Sequence, residues 1–291
     1  MSLTGNSFGA ETRKEEWQIK LQETLADETL YKKVCNVKMT DTYILHNPYR
    51  TDPTVQTGTR DQAYTHQAVT LVDDDATINT MIVLPQYIDR ADLAQQTYED
   101  QMSLAENQGR LINEYLDEKM LEAHASWTDF DNASIGGSAG EITVSESNVI
   151  DIINAVIREI QEAKGASLLA RNGGFIIWRP ADFEKLKLFM MSNGFNTADM
   201  TLKKGATSGV DYAGLTHYVS NRHTANHLFA GVKNQFMCGI CRSTFGQVIV
   251  VDEPATADGA VSAVGVISRA DYIFKAWNNT GAVLFDVSVA D

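Results

Sequence analysis

The chain has 291 residues, of which 44% are hydrophobic and 21% are charged, a composition typical of globular proteins. Its 38 acidic and 24 basic residues give a net charge of −14, and its basic pairs are isolated, which argues against tight binding to nucleic acid. No run of eighteen apolar residues predicts a membrane span, and no secretory signal pattern opens the sequence. We therefore expect a protein that stays in the cytoplasm where it is made.

The N-terminal segment predicts a helix that needs a partner. Residues 11–33 place Trp17, Leu21, Leu25 and Tyr31 among charged residues, as in an amphipathic helix with a thin apolar face. A face this thin buries little area by itself. We therefore expect the segment to pack against another surface.

Residues 40–84 change to short β-like runs and predict a long hairpin. Between the first two runs lies HNPYRTDPTVQTGTRDQ, which has two prolines and almost no apolar side chain. Proline cannot donate to a strand ladder, and such a tip has nothing to bury. The hairpin should therefore project into solvent, and Ile78, Thr80 and Ile82 then alternate along the strand that leaves it.

Residues 92–125 predict one unusually long helix. Apolar and small residues recur there every 3.6 positions on average, and the helix would be about 50 Å long. We expect Ala105 and Gly109 to let another backbone approach closely. The rest of the helix surface is predicted to be acidic, with Glu99, Asp100, Glu106, Glu114, Asp117, Glu118 and Glu122.

The second half of the chain predicts a compact α+β lobe. SESNVIDIINAVIREIQEAKG reads as a helix capped by Ser145 or Ser147 and stopped by Gly165. GGFIIWRP reads as a short buried strand, and Pro180 begins another helix. Several strands with short loops follow. The chain closes with two extended runs joined at residues 278–281.

Four residues have the spacing of zinc ligands, namely His223, His227, Cys238 and Cys241. The cysteines lie in QFMCGICRS, which reads as an interior strand, and residues three apart on a strand point to opposite faces. Buried free cysteine is also a common small hydrophobe, and a redox Cys-x2-Cys motif belongs at the start of a helix. We therefore predict no metal site, no cofactor and reducing surroundings, with a zinc-binding or redox protein as an alternative.

No other pattern predicts catalysis. Residues 73–75 are three aspartates, and they read as a turn between strands because no further ligands recur at calcium-loop spacing. The sequence has no glycine-rich phosphate loop, nucleophile elbow or HExxH motif. We predict that the chain is not an enzyme.

The order of these parts resembles the major capsid proteins of tailed bacteriophages, which have the Hong Kong 97-type fold. TINTMIVLPQYIDRADLAQQTYEDQMSLAENQGRLINEYLDEKML resembles the family's strand and long spine helix, and GGFIIWRPADFEKLK resembles a strand and helix of its axial A-domain. GVDYAGLTHYVSNR, HLFAGVKNQFMCGI and FGQVIVVDEP resemble further A-domain strands, and GVISRADYIFKAWNNTGAVLFDVSVA resembles the closing strands. The resemblance covers residues 17–289 and rests on the order and spacing of these stretches.

The resemblance implies an α+β fold in four parts. The implied boundaries are an N-terminal arm at 1–37, an E-loop hairpin at 38–86, a P-domain at 87–147 and 255–291 with its spine helix at 92–125, and an A-domain at 148–254.

The function implied is structural: hexamers and pentamers that self-assemble into an icosahedral shell enclosing phage DNA, without tight DNA binding and without a membrane. The implied partners are other copies of the chain, a scaffolding protein, a portal and a cement or decoration protein, with assembly in the host cytoplasm and final location in the virion. An encapsulin-type nanocompartment shell is the alternative on the same fold. The residues expected at contacts between subunits are Trp17, Tyr49, Arg50, Asp52, Arg60 and Asp61.

One departure from the family concerns covalent cross-linking. Some members join subunits through a bond between an E-loop lysine and an asparagine of another subunit. This sequence has no lysine between Lys38 and Lys119. We therefore do not expect such a bond through this loop.

Overall fold

The structure is a computed structural model. It describes residues 29–61, 63–90, 100–130, 140–192, 210–222, 226–252, 255–256, 259–260 and 262–290.

Helices and strands alternate irregularly along the described residues. The helices are α1 (Tyr31–Val34), α2 (Asp100–Glu122), α3 (Val149–Glu162), α4 (Ala166–Asn172) and α5 (Pro180–Ser192), with 3₁₀ turns at Ala123–Ser126 and Gly281–Val283. The strands are β1 (Asn36–Thr40), β2 (Ile44–His46), β3 (Tyr49–Arg50), β4 (Leu71–Val72), β5 (Asp75–Thr77), β6 (Thr80–Asp89), β7 (Thr128–Asp129), β8 (Gly174–Trp178), β9 (Val210–Tyr212), β10 (Leu215–Val219), β11 (His227–Val232), β12 (Phe236–Cys241), β13 (Gln247–Asp252), β14 (Ala255–Thr256), β15 (Gly259–Ala260), β16 (Ala263–Ala276) and β17 (Leu284–Ser288).

A first sheet, here called the long sheet, is built on β16. β6 pairs antiparallel with one edge of β16, and β12 and β13 pair antiparallel with it as well. Tyr272 pairs with both β6 and β12, and Arg269 pairs with both β6 and β13, so β12 and β13 lie on the edge opposite β6. β1 extends the sheet by pairing parallel with β12.

A second sheet, here called the lobe sheet, has the order β7-β17-β11-β8-β10-β9. Its central strand β8 is buried along its whole length, as the sequence predicts. Ile176 and Trp178 join a core formed with α3 and α5, whereas Phe175 and Ile177 join a different core. The side chains of β8 therefore pack on both faces of the sheet, which is why the strand is a continuous apolar run.

Helix α2 lies between the two sheets. Its buried residues Ile112, Leu116 and Met120 share one core with Phe175 of the lobe sheet and Ile240 of the long sheet. The helical period read from the sequence therefore marks a buried stripe. None of the helices in the described part of the chain combines the length and apolar content that a bilayer span requires.

The close approach predicted at Gly109 of α2 is wrong, and the same prediction for Ala105 is not tested. A Cβ built on Gly109 would meet no atom within 4 Å, and the side chain of Ala105 lies outside the described part. The close contact is made by Gln108, which is fully buried and donates to the carbonyl oxygen of Val266 at 3.1 Å. Ser268 donates to the Gln108 side-chain oxygen at 2.5 Å. A polar clamp therefore joins α2 to β16.

The ends of two predicted helices differ from the sequence pattern. Residues 91–99 lie outside the described residues, so the predicted start of the long helix is not tested. The N-cap position of helix α3 is Asn148 rather than Ser145 or Ser147, and the Asn148 side chain makes no capping hydrogen bond. Gly165 follows α3 as predicted, but its φ of −83° does not require glycine. Packing requires it, because a Cβ there would lie 2.6 Å from Cγ1 of Val283.

The boundary predicted at residue 254 does not separate the two sheets. β12 and β13 fall within the range 148–254, yet they pair with β16 in the long sheet. The two closing runs, β16 and β17, also belong to different sheets. A strand's own sequence does not encode which strand it pairs with, so the chain order alone placed β12 and β13 in the lobe.

Candidate functional site

The predicted projecting hairpin is present between β2 and β5. β2 pairs antiparallel with β5, and β3 pairs antiparallel with β4. Every described residue from 51 to 70 is exposed. The second arm is less regular than the sequence predicts, because residues 63–70 form no strand and only Leu71–Val72 do so there. The described residues of the hairpin from 51 to 70 therefore form no core of their own.

Two glutamines hold the arms of the hairpin together. The side-chain amide of Gln56 donates to the carbonyl oxygen of Thr65 at 2.9 Å and accepts from its N–H at 3.1 Å. Gln67 makes the same pair of bonds with Thr54, both at 2.8 Å. Each amide thus takes the place of a strand residue in a ladder. The arms remain extended without regular pairing at these positions.

The root of the hairpin is fixed to the long sheet by a buried ion pair. Asp74 is only 4% exposed, and its carboxylate lies 2.6 Å from the Lys275 ammonium of β16. The same carboxylate accepts from the backbone N–H of Asn278 at 2.8 Å. Lys275 also donates to the carbonyl oxygen of Asp75. The predicted turn at residues 73–75 is therefore a structural anchor.

Apolar contacts complete the root. Leu45 of β2 lies over Gly239 of β12, where an added Cβ would be 2.6 Å from Cδ1 of Leu45. Ala76 of β5 is buried with Met237 and Trp277. Glycine is needed in β12 because the hairpin strand approaches it so closely. The root is thus packed as well as paired.

The outer hairpin carries apolar side chains that none of the described residues cover. Val55 is 90% exposed, Tyr64 is 76% exposed and Val69 is 74% exposed. Side chains exposed to this extent on an extended segment gain no burial within the monomer.

A groove of about 580 Å³ lies between β6 and α2. Its walls include the exposed apolar side chains of Met81, Val83 and Tyr115. The full lining is Met81, Ile82, Val83, Leu84, Leu111, Glu114, Tyr115, Glu118 and Arg222.

Two of the acidic residues predicted on the surface of α2 are buried. Glu114 is 7% exposed, and its carboxylate lies 2.5 Å from Arg110 and 2.7 Å from Arg222. Asp117 is 3% exposed and accepts from the backbone N–H groups of Leu30 and Tyr31. The prediction of an acidic outer face is therefore wrong at these positions. Their carboxylates fasten α2 to other segments.

The carboxylate of Asp117 caps the short helix α1. It lies 2.7 Å from the N–H of Tyr31 and 3.0 Å from that of Leu30, two donors that have no partner within the helix. Burial raises the pKa of Asp117 to about 6, although these hydrogen bonds oppose the rise.

The fold is similar to that of known capsid structures. The chain is similar to the capsid of an empty gene transfer agent particle, with a TM-score of 0.74 at 11% identity over 100% of both chains. It is also similar to a structure from Mycobacterium phage Che8, with a TM-score of 0.68 at 14% identity over 95% of this chain and 97% of that one. A third similar structure is the capsid of the Cyanophage P-SCSP1u, with a TM-score of 0.67 at 9% identity over 97% of this chain and 94% of that one.

The chain has the Hong Kong 97-type capsid fold. No protein-family model and no curated protein matches the chain. The likeness to capsid structures thus rests on shape over nearly the whole length, at 9 to 14% identity.

Within the capsid fold, the hairpin carries five of the six residues predicted at subunit contacts. Arg50, Asp52, Arg60 and Asp61 are exposed along it, and Tyr49 is half-buried in β3, where it pairs with Val72. The sixth residue, Trp17, lies outside the described residues.

The ligand set considered from zinc spacing is not assembled in the described part of the capsid fold. Cys238 faces the core around α2, and Cys241 lies at 3.2 Å from the hydroxyl of Ser243 instead. His223 lies outside the described residues, and His227 does not join the cysteines in a three-ligand group among those described. The opposite orientation of two strand residues three apart explains the result.

The two cysteines also differ in acidity. Burial raises the pKa of Cys238 to about 12, so its thiol stays protonated. The hydrogen bond with Ser243 lowers the pKa of Cys241. The two sulfurs do not form a redox pair, because both cysteines are free and they face different sides of β12.

The sequence missed a different cluster in the capsid fold, which contains His124, His227 and Asp286. His124 follows α2, His227 begins β11 and Asp286 lies in β17. No local spacing joins these residues, because they are separated by more than fifty positions. The pairing of β11 with β17 brings His227 close to Asp286, and the 3₁₀ turn after α2 adds His124.

Proposed function

We propose that this chain is the major capsid protein of a tailed-phage-type particle, a structural protein that is not an enzyme and is located in the virion. Its fold matches capsid structures over nearly its whole length. The observation that carries the proposal is the hairpin: it is anchored by a buried ion pair at its root and exposes apolar side chains beyond it. A monomer gains nothing from such an element, whereas a shell uses it to join neighbours.

In this proposal the hairpin of one copy lies across the P-domain of a neighbouring copy. The groove between β6 and α2 is a suitable receiving surface. Met81 and Val83 in the groove are exposed, as are Val55 and Tyr64 of the hairpin, and all four would bury apolar area in such a contact. Both unpartnered surfaces belong to the same chain. A second copy therefore satisfies both at once.

The contacts between copies are noncovalent. Arg50, Asp52, Arg60 and Asp61 place both signs of charge on the hairpin, which allows ion pairs with a neighbour. With no lysine in the hairpin, a Lys–Asn bond through it cannot form. Shells dissolved in denaturant should run as single chains on a denaturing gel, and a ladder of cross-linked chains would contradict this part of the proposal.

The assembly would be an icosahedral shell of hexamers and pentamers built in the host cytoplasm. The N-terminal arm, including Trp17, would pack on a neighbouring copy. A scaffolding protein, a portal and a cement or decoration protein would be its partners during assembly and maturation. The net charge of −14 suits a wall that encloses DNA without adsorbing it.

Electron microscopy of the expressed chain tests the proposal. We expect closed particles or capsomer rings, and in infected cells the same particles should contain DNA, scaffolding protein and portal. A chain that stays monomeric at high concentration and with scaffolding protein present would overturn the proposal. Shells loaded with an enzyme cargo and free of DNA would replace it with the encapsulin alternative.

A matched pair of variants tests the role of the hairpin. Val55→Asp combined with Val69→Asp adds two charges to exposed hairpin positions, and Asn154→Asp combined with Ser167→Asp adds two charges to exposed positions of α3 and α4. Both proteins should keep the circular dichroism spectrum of the parent. Only the hairpin variant should fail to form particles, and normal shells from it would rule out hairpin docking.

A further inference from the structure

Two histidines and an aspartate meet where the end of α2 touches the lobe sheet. The Nδ1 atom of His227 lies 2.8 Å from Oδ1 of Asp286, and Nε2 of His124 lies 3.9 Å from Oδ2 of the same carboxylate. The two imidazole rings have their centroids 4.4 Å apart. One ligand atom from each residue lies within 4.8 Å of the other two. The three side chains thus surround a single point.

The hydrogen bonding of His124 determines which of its nitrogens is free to bind a metal. Its Nδ1 lies 3.1 Å from the carbonyl oxygen of Leu121, which can only accept, so Nδ1 carries the proton. In the neutral ring the lone pair is then on Nε2, the atom that faces Asp286. A histidine that donates one N–H to a backbone carbonyl and turns the other nitrogen inward is the usual arrangement of a metal ligand.

Burial makes the cluster costly without a cation. Asp286 is 7% exposed, and Asp129 pairs with it across β7 and β17 as a second carboxylate. His124 and His227 are half-buried. A divalent cation offsets this cost because it binds the carboxylate, Nε2 of His124 and, once the His227 proton moves from Nδ1 to Nε2, Nδ1 of His227.

We propose that His124 Nε2, His227 Nδ1 and the Asp286 carboxylate bind a divalent transition metal, with Zn²⁺ as the best match. Nitrogen and carboxylate ligands about 2.0 to 2.2 Å from zinc in a tetrahedron lie ~3.3 Å from one another. His227 Nδ1 lies 2.8 Å from Oδ1 and His124 Nε2 lies 3.9 Å from Oδ2, while the three ligand atoms lie within 4.8 Å of one another, so side-chain rotations bring all three to that spacing when the ion binds. The fourth position is open to water or to Asp129, which pairs with Asp286 across β7 and β17.

The ion would join the end of α2 to two strands of the lobe sheet. His124 belongs to the 3₁₀ turn after α2, His227 to β11 and Asp286 to β17. Binding at this point stabilises the folded chain by RT ln(1 + [Zn²⁺]/Kd), so the stabilisation grows with the logarithm of the metal concentration once it exceeds the dissociation constant. The site lies within one chain and does not depend on the proposed shell function.

Titration of the purified, metal-free full chain with Zn²⁺ alone tests the proposal. Calorimetry should give one ion per chain, and Co²⁺ in its place should give the strong visible absorption of a four-coordinate site. The thermal unfolding midpoint should rise with added Zn²⁺. Absence of stoichiometric binding, or binding without the four-coordinate Co²⁺ spectrum, would overturn the assignment.

Variants separate this site from other histidines. His124→Gln, and Asp286→Asn, which keeps an oxygen to accept from His227, should each weaken Zn²⁺ binding at least about tenfold. His46→Gln changes a histidine paired with Asp73 on the hairpin and serves as the control. If either cluster variant has the parent's circular dichroism spectrum and binds Zn²⁺ as the control does, the proposed ligands are wrong.

Discussion

The carboxylate of Asp117 permits a sharp test of how the N-terminal part is held. Its Oδ1 atom accepts from the N–H groups of Leu30 and Tyr31 at 3.0 and 2.7 Å. Asp117→Ala leaves two buried donors without partners, at about 1–3 kcal/mol each. We therefore expect this variant to lower the free energy of unfolding by about 2–5 kcal/mol. Asp117→Asn keeps the oxygen that accepts both bonds, and we expect a change of less than about 1 kcal/mol at pH 7.

The pH dependence of this effect has a definite sign. Burial raises the pKa of Asp117 from 3.8 to about 6, so the folded chain binds the proton more tightly than the unfolded chain. This contribution to the free energy of unfolding is full below about pH 4 and is lost as the pH rises through 6. About two pKa units correspond to ~3 kcal/mol. Since asparagine does not titrate there, the wild type should gain up to this amount over Asp117→Asn between pH 7 and pH 4.

Urea unfolding of the unassembled chain, followed by tryptophan fluorescence between pH 4 and 7, measures both effects. Comparing the two proteins at each pH cancels the titration of every other group. The reasoning fails if Asp117→Asn is as destabilising as Asp117→Ala. It also fails if the difference between the wild type and Asp117→Asn does not change with pH.

Three further changes test the packing and the buried polar groups. Gly231→Ala places a Cβ 2.6 Å from the backbone carbonyl oxygen of Val283. We expect it to lower the free energy of unfolding, measured in urea, by at least about 1–3 kcal/mol. An unchanged free energy of unfolding would mean that β11 can shift to make room. Leu116→Ala, at a fully buried site on α2, should cost about 2–5 kcal/mol, and a cost under about 1 kcal/mol would contradict its place in the core. Burial lowers the pKa of His217 to about 4, so the free energy of unfolding should fall as the pH decreases from 6.5 to 4. His217→Gln should remove that fall while keeping an acceptor for Trp178, and an unchanged pH profile would assign the fall to another group.

Much of the fold could be predicted from the sequence because periodicity reports burial directly. The helical stripe containing Leu116 and the apolar run of β8 both mark elements that are buried in the structure. The hairpin was predictable as well, because prolines and the lack of apolar residues exclude a buried strand. Strand pairing was not predictable in the same way. β12 and β13 resemble lobe strands in pattern but pair with β16.

Of the candidate functional residues, only the exposed ones on the hairpin could be predicted from the sequence. Arg50 and Arg60 were assigned to the exposed hairpin because its composition is polar, and they are exposed there. The anchor between Asp74 and Lys275 joins residues 201 positions apart, so no local pattern marks it. His124 was missed for the same reason, since its cluster forms only after the end of α2 has packed on the lobe sheet.

One strand, β16, contacts both α2 and the root of the hairpin, and it can therefore determine the position of the hairpin. Gln108 of α2 donates to the carbonyl oxygen of Val266 in β16, and Lys275 of the same strand holds Asp74 at the hairpin root. α2 and the hairpin are therefore fixed to a common element rather than to each other. In the proposed shell, each copy would present its hairpin to a neighbouring copy. Here the position of the hairpin is set by the packed core through β16, while the exposed residues beyond the root remain available to contact a neighbour.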